Sequence, residues 1–202
     1  MMMQLPKPYL SYSALSLWDQ NKKRYRQQYY LGYTSPSSPE LRAGSRIHKL
    51  YEDDDPSLDH LPRYDLKEVK FQVEIDGVPI LGFIDRLDSK NLAYLDLKTG
   101  KKPWTEKQVK ETKQLPFYAL ALSAIHDQWE YNAGILWIET CKKPKEENEW
   151  GTYDHTIELT GRHEWYPISI DRPRIQETRE WLVSTAHDIS VDYTEWLKSN
   201  GI

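Results

Sequence analysis

The sequence holds a single cysteine, Cys141, in 202 residues. One thiol excludes an intrachain disulfide and any four-cysteine zinc or iron–sulfur centre built from this chain alone. It also fits the reducing interior of a cell, so a cytoplasmic location is expected. No run of about 18 apolar residues occurs, and no transmembrane helix is expected. The opening Met1-Met2-Met3-Gln4-Leu5-Pro6-Lys7 lacks the apolar core of a secretory signal. Gly-x-x-x-x-Gly-Lys-Ser/Thr is absent, which excludes an ordinary P-loop ATPase. Basic charge is not in excess: 27 Lys and Arg face 31 Asp and Glu. A net charge of −4 excludes a wholly basic nucleic-acid coat protein, but a local basic groove remains compatible with it. What the chain does have is rings, with 8 Trp, 14 Tyr and 3 Phe. Large rings bury much area each, so a sizeable core is within reach of a single domain over residues 1–202.

The chain reads as a mixed sheet flanked by helices, an α/β (α+β) architecture. Ser11-Tyr12-Ser13 caps a helix expected to run to about Leu31, with Gly32 as its stop. A second helix is expected from Ser38-Pro39-Glu40 into the acidic run Glu52 to Asp55, with Asp55 to Tyr64 as a connector. Strands are expected over Lys67 to Ile75, Val78 to Leu87 and Leu92 to Lys98, with turns at Asp76-Gly77 and Lys90-Asn91. A long helix fits Glu106 to His126, where Pro116 marks a kink or a restart. Asn132 to Thr140 and Tyr153 to Leu159 read as further strands, Lys142 to Asn148 as a charged loop, and Asp171 to Leu197 as a closing helix.

The informative stretch is Gly82-Phe83-Ile84-Asp85-Arg86-Leu87 followed by Tyr94-Leu95-Asp96-Leu97-Lys98-Thr99-Gly100. Two carboxylates and a lysine sit inside otherwise apolar strands, where such residues are depleted. A two-residue turn at Lys90-Asn91 sets the sum of opposed residue numbers at 181, which places Asp85 across from Asp96. A turn wider by two about the same centre keeps that register. Asp96 and Lys98 share a face, while Ile84, Leu95 and Leu97 point into core. Opposed like charges destabilise a sheet, so a cation between them is expected: either Lys98 or a divalent ion. The alternative is that Asp85 pairs with Arg86 or a neighbouring strand, and Asp96-Lys98 is a surface pair.

Two helical pairs add to this. His48 and Glu52 are four apart on one helix face, with Gly44 one turn earlier permitting close approach. Gln114 and Tyr118 are also four apart, on a helix that is otherwise apolar. Either pair alone is equally at home as ordinary helix polarity.

Taken in order, Gly44-Ser45-Arg46-Ile47-His48, Gly82-Phe83-Ile84-Asp85, Asp96-Leu97-Lys98 and Gln114-Leu115-Pro116-Phe117-Tyr118-Ala119 resemble the motifs of the PD-(D/E)XK nuclease superfamily, in its RecB-like branch. The resemblance spans about residues 11–140. It implies a restriction-endonuclease-like core and a Mg²⁺- or Mn²⁺-dependent deoxyribonuclease. His48, Asp85, Asp96 and the carbonyl of Leu97 would hold the ion. Lys98 would position and activate water, Gln114 and Tyr118 would support it, and Glu74 would be an accessory acid. Some members of the branch carry a four-cysteine iron–sulfur cluster, which is not expected here because Cys141 is the one cysteine. Others are fused to a helicase motor, which is not expected here either.

The implied substrate is polyanionic. Lys22-Lys23-Arg24-x-Arg26, Lys101-Lys102 and Lys142-Lys143-x-Lys145 are the basic clusters. With Trp18, Tyr25, Tyr29, Trp104 and Trp150 nearby in sequence, they suit single-stranded DNA or DNA ends. Lys101-Lys102 directly follows the site. The expected function is an exonuclease in recombination, repair or phage DNA processing, in the host-cell cytoplasm if phage-encoded, with a recombination or replication protein as a further partner. The competing readings are a nuclease-fold DNA-binding or accessory subunit of a larger complex, and a structural domain whose acidic face binds a regulatory cation.

Overall fold

The computed structural model describes residues 3–34, 36–144 and 155–201. Five strands form one sheet in the order β1 (Leu66–Ile75), β2 (Val78–Leu87), β3 (Tyr94–Gly100), β4 (Tyr131–Pro144) and β5 (His155–Ile170). All neighbours are antiparallel except β3 and β4, which run parallel and are joined through the helices α4 (Glu106–Glu111) and α5 (Gln114–His126). Helices α1 (Tyr12–Gln20), α2 (Lys22–Tyr29) and α3 (Pro39–Glu52) precede the sheet, and α6 (Arg172–Ser199) closes the chain. The mixed sheet with flanking helices is the expected class.

Local chemistry accounts for most boundaries. Ser11 accepts from the Ala14 N–H and starts α1; Ser38, followed by Pro39, starts α3; Asp171 starts α6. The helix expected over residues 11–31 is two helices. Asn21 leaves helical geometry at φ −160°, ψ 85°, and its side chain caps α2 by accepting from the Arg24 N–H. The helix expected over 106–126 also divides, at Thr112-Lys113, and Pro116 falls in the first turn of α5, where a missing N–H costs nothing. A 3₁₀ turn, Pro56–Leu58, interrupts the connector after α3. The charged loop expected from Lys142 is strand as far as Pro144, because Lys142 and Lys143 pair with Ile157 and Thr156 of β5. Strand β5 extends to Ile170, well beyond Leu159. Residues 145–154, including Lys145, Trp150 and the start of the expected fifth strand, lie outside the described residues.

Two cores result. The larger packs α1, α5 and α6 against the sheet. Helix α5 is buried on every side from Leu115 to Ser123, as a helix apolar all round must be. The smaller core packs Ile47 and Tyr51 of α3, with Leu58 and Leu61, on Leu95, Leu97, Leu136 and Ile138. The sheet is thus clamped between α3 on one face and α5 on the other.

Strands β2 and β3 separate early. They pair only at Arg86–Leu95 and Leu87–Tyr94, with Asp88 N–H bonding the Ala93 carbonyl across a widened turn. Each pair sums to 181, so the expected register holds, but the ladder ends one pair short of Asp85 and Asp96. Further along, the freed edge of β2 is taken by Leu10, which hydrogen-bonds Pro79 and Leu81. The opening between these two attachments is the centre of the molecule's polar chemistry.

Candidate active site

Asp85 occupies the split. Its Oδ2 accepts from the Leu97 N–H at 2.5 Å, so a side chain replaces the missing ladder bond between β2 and β3. Its Oδ1 lies 3.7 Å from His48 Nδ1 on α3. Helix α3 comes this close to β3 because Gly44 has no side chain: a Cβ there would stand 3.1 Å from Thr99 Oγ1. Glu68 of β1 completes a cluster in which one ligand atom each from His48, Glu68 and Asp85 lies within 4.8 Å of the others. The backbone at Glu68 has φ +43°, strained for a residue other than glycine. His48 and Glu68 line a cleft of about 590 Å³, whose walls also include Glu52, Leu97 and Lys98.

Asp96 lies behind this cluster and is nearly inaccessible, at 2% exposure. Its Oδ1 accepts from Gln114 Nε2 at 2.7 Å and from Tyr118 Oη at 3.4 Å, and Gln114 Nε2 also reaches Tyr118 Oη at 2.7 Å. Lys98 Nζ stands 2.7 Å from Asp96 Oδ2. It is off line for a hydrogen bond, so that oxygen has an ion-pair partner and no hydrogen-bonded one.

Electrostatics follow from crowding acids in little water. Burial pushes the Asp96 carboxyl up, Lys98 opposes this, and the charge on Asp85 adds to it. Burial works against the Lys98 ammonium, yet Asp96 outweighs it and the lysine is held above its ordinary range. Burial, then Asp85 and Glu52, push Glu68 up. Burial lowers His48, but the nearby Asp85 carboxylate prevails and the net direction is up. Burial thus pushes Glu68 and Asp96 upward, beside Asp85 and one imidazole, in a set where a cation would relieve the crowding of acids. Nitrogen and oxygen donors of this kind suit Mg²⁺ or Mn²⁺.

The expected residues sort unevenly. His48, Asp85, Asp96, Leu97, Lys98, Gln114 and Tyr118 converge on the split. The tight group, however, is His48, Glu68 and Asp85, with Asp96 engaged by its own partners. Glu74, expected as an accessory acid, is paired with Pro79 at the far end of the β1–β2 hairpin. Six residues of strand put it roughly 20 Å from Glu68. The signal for Glu68 lay in the turn Asp76-Gly77, which sets opposed residues at a sum of 153 and hence 68 across from 85.

Arg86 does not pair with Asp85. It is 2% exposed and turns to Asp54 at 2.5 Å and to the Tyr51 carbonyl, tying the end of α3 to β2. Trp18 and Tyr25 are core residues, and Tyr29 and Trp104 pack against the same core, so the first two offer no stacking face. Arg26 is ion-paired with Asp192 of α6, and Lys22 lies over Trp18 at 4.7 Å. Lys23, Arg24, Lys101 and Lys102 are exposed. Lys142 pairs with Glu40 and Lys143 with Glu158, each at 2.6 Å.

Comparison with known proteins gives the same picture. A candidate exonuclease from Eubacterium rectale superposes with a TM-score of 0.57 at 13% identity, over 90% of this chain and 82% of that one. LHK-Exo of Laribacter hongkongensis, solved with dAMP, gives 0.52 at 11% over 96% and 93%. A phage-related exonuclease from Haemophilus somnus gives 0.50 at 13% over 92% and 82%. At these identities the likeness is one of fold. No curated protein sequence matches the chain. Residues 56–197, more than two thirds of the chain, match the PD-(D/E)XK nuclease superfamily. With that match and an Asp85, Asp96-x-Lys98 constellation at the split of its sheet, this chain belongs to the PD-(D/E)XK nuclease superfamily.

Proposed function

We propose that this chain is a metal-dependent deoxyribonuclease of the RecB-like branch, acting as an exonuclease on DNA ends from a single domain. The observation that carries this is the union of a cation-deficient cluster, His48, Glu68 and Asp85, with a buried Asp96–Lys98 pair at one split in the sheet. The fold likeness to exonucleases, one of them holding dAMP, supports the substrate class. A bound Mg²⁺ or Mn²⁺ would acidify a water and polarise the scissile phosphate.

The residues divide that work. His48, Glu68 and Asp85 would hold the ion, and Asp96 would serve as a further carboxylate ligand. The N–H and C=O of one strand residue point to the same edge. The Leu97 N–H faces Asp85, so its carbonyl faces the split and can serve as a further ligand. Lys98 places a cation where phosphate charge develops and hydrogen-bonds the attacking water. Gln114 and Tyr118 fix Asp96 Oδ1, leaving Oδ2 to Lys98 and the ion. Lys101 and Lys102, exposed immediately after β3, would meet the DNA backbone.

The test is cleavage of end-labelled linear and circular DNA with Mg²⁺, Mn²⁺ or EDTA, by wild type and Lys98→Ala. Metal-dependent loss of linear DNA, with circles spared and Lys98→Ala inactive, upholds the reading. Binding of DNA without cleavage in either metal refutes an autonomous enzyme.

A further inference from the structure

Phe83 is 45% exposed in a strand whose next residue, Ile84, is fully buried. Alternation along β2 puts Phe83 on the same face as Asp85, roughly 7 Å away. Directly opposite on β1 is Lys70, exposed and without an ion pair among the described residues. Glu68 is two residues from Lys70 on β1, as Asp85 is from Phe83 on β2. An aromatic ring and a free ammonium therefore stand side by side at the edge of the acid cluster. Leu41 of α3, 64% exposed, lines the cleft together with His48 and Glu68. A single exposed apolar residue alone needs no explanation; Phe83 is set apart by its place beside Asp85 and opposite Lys70.

We propose that Phe83 and Lys70 form a nucleobase subsite. The ring takes an unpaired base of the strand being cut, and the ammonium takes a neighbouring phosphate. This rests on the nuclease reading and names its substrate form: the strand reaches the cluster with its bases unstacked from any partner strand. A ring in contact with one base-pair edge gains little, whereas stacking on a free base strengthens binding by about tenfold.

The test compares wild type, Phe83→Ala, Phe83→Trp and Lys70→Ala on single-stranded oligonucleotides, intact or carrying abasic spacers scanned along the strand. Phe83→Ala is expected to raise KM on the intact strand about tenfold with kcat within twofold, and Phe83→Trp to restore it. At one spacer position wild type is expected to fall to the level of Phe83→Ala, and the variant to lose nothing further. Lys70→Ala is expected to reduce the salt dependence of KM by about one unit of slope. An unchanged KM for folded Phe83→Ala, or equal losses on intact and abasic strands, would overturn the subsite. A wild type that cuts nothing would refute the nuclease reading. The subsite is then judged by quenching of a 2-aminopurine strand on binding: lost in Phe83→Ala it stands, unchanged it fails.

Discussion

The carboxylate of Asp85 accepts the backbone N–H of Leu97 at 2.5 Å, across the point where β2 and β3 stop pairing. One side chain thus closes the sheet's hydrogen bonding and keeps its second oxygen toward His48. The two duties separate by substitution. Asn can still accept the N–H, so Asp85→Asn should keep the wild-type Tm and lose cleavage. Asp85→Ala strands a partly buried N–H as well and should cost a further ~1–3 kcal/mol. Thermal melts beside cleavage assays decide this; equal stability of the two variants contradicts the structural half.

Glu68 and Glu74 lie on the same strand and make opposite predictions. Glu68→Gln removes a charge from the cluster and should raise the Mn²⁺ concentration needed for half-maximal cleavage by at least about tenfold, judged by the usual effect of disturbing a metal's ligand environment. Glu74→Gln should change it less than twofold. Metal titration, with Mn²⁺ binding followed by electron paramagnetic resonance, reads both; the reverse ranking would restore Glu74 to the site.

Lys98 is the only cation against the buried Asp96 carboxylate among the described residues. Lys98→Ala should lower kcat by at least about 10²-fold, the scale for losing a group aimed at developing charge. DNA affinity should fall less than fivefold, because Lys101 and Lys102 remain. A parallel loss of affinity and turnover would make Lys98 a binding residue.

Asp54 and Arg86 test the seating of α3. Arg86 is buried and Asp54 is its carboxylate partner, with Lys67 on the other oxygen. Asp54→Asn leaves a buried cation uncompensated, whereas Arg86→Met removes the cation and fills its space. Asp54→Asn should therefore lower Tm more than Arg86→Met does. The opposite order would mean that the contact of Arg86 with the Tyr51 ring, at 4.7 Å, dominates.

Acid stability should report Asp192. Its burial favours the neutral form, but bonds from Arg26 and Tyr30 outweigh this and hold the carboxyl below its ordinary range. A lowered folded pKa gives stability that is complete above the unfolded value, near 4, and is lost as pH falls through the folded value. Wild type should thus lose its advantage over Asp192→Asn progressively as pH falls below the unfolded value, about 4. At neutral pH that advantage should be at most about 1 kcal/mol, since Arg26 is half-exposed to screening solvent. A pH-independent difference would assign the effect to packing.

Several parts of this molecule were legible as sequence because the physics behind them is local. Ser11, Ser38 and Asp171 start their helices through bonds to backbone three residues on, and alternation in Val69, Phe71, Val73 and Ile75 marks β1. The index sum of 181 follows from where a turn is centred, and it held although the turn was wider than two residues. The same arithmetic at Asp76-Gly77 would have found Glu68 in place of Glu74. The breaks at Asn21 and Thr112 were not legible, since the periodicity on either side of each continues.

The sequence by itself determined the class of chemistry. Acids and a lysine inside apolar strands require a cation or each other, and four motifs in order identify the superfamily. Only the tertiary structure decided which charges meet. Arg86, a candidate partner for Asp85, went to Asp54, while Arg26 and Trp18, which look like DNA contacts along the chain, went to Asp192 and into the core. Asp85 left its ladder partner for the Leu97 N–H, and Glu68 entered the cluster that Asp96 was expected to share. The reason is range. Capping and alternation are set within a few residues, whereas a charge takes whichever partner folding brings within a few ångströms, and no spacing rule along the chain fixes that.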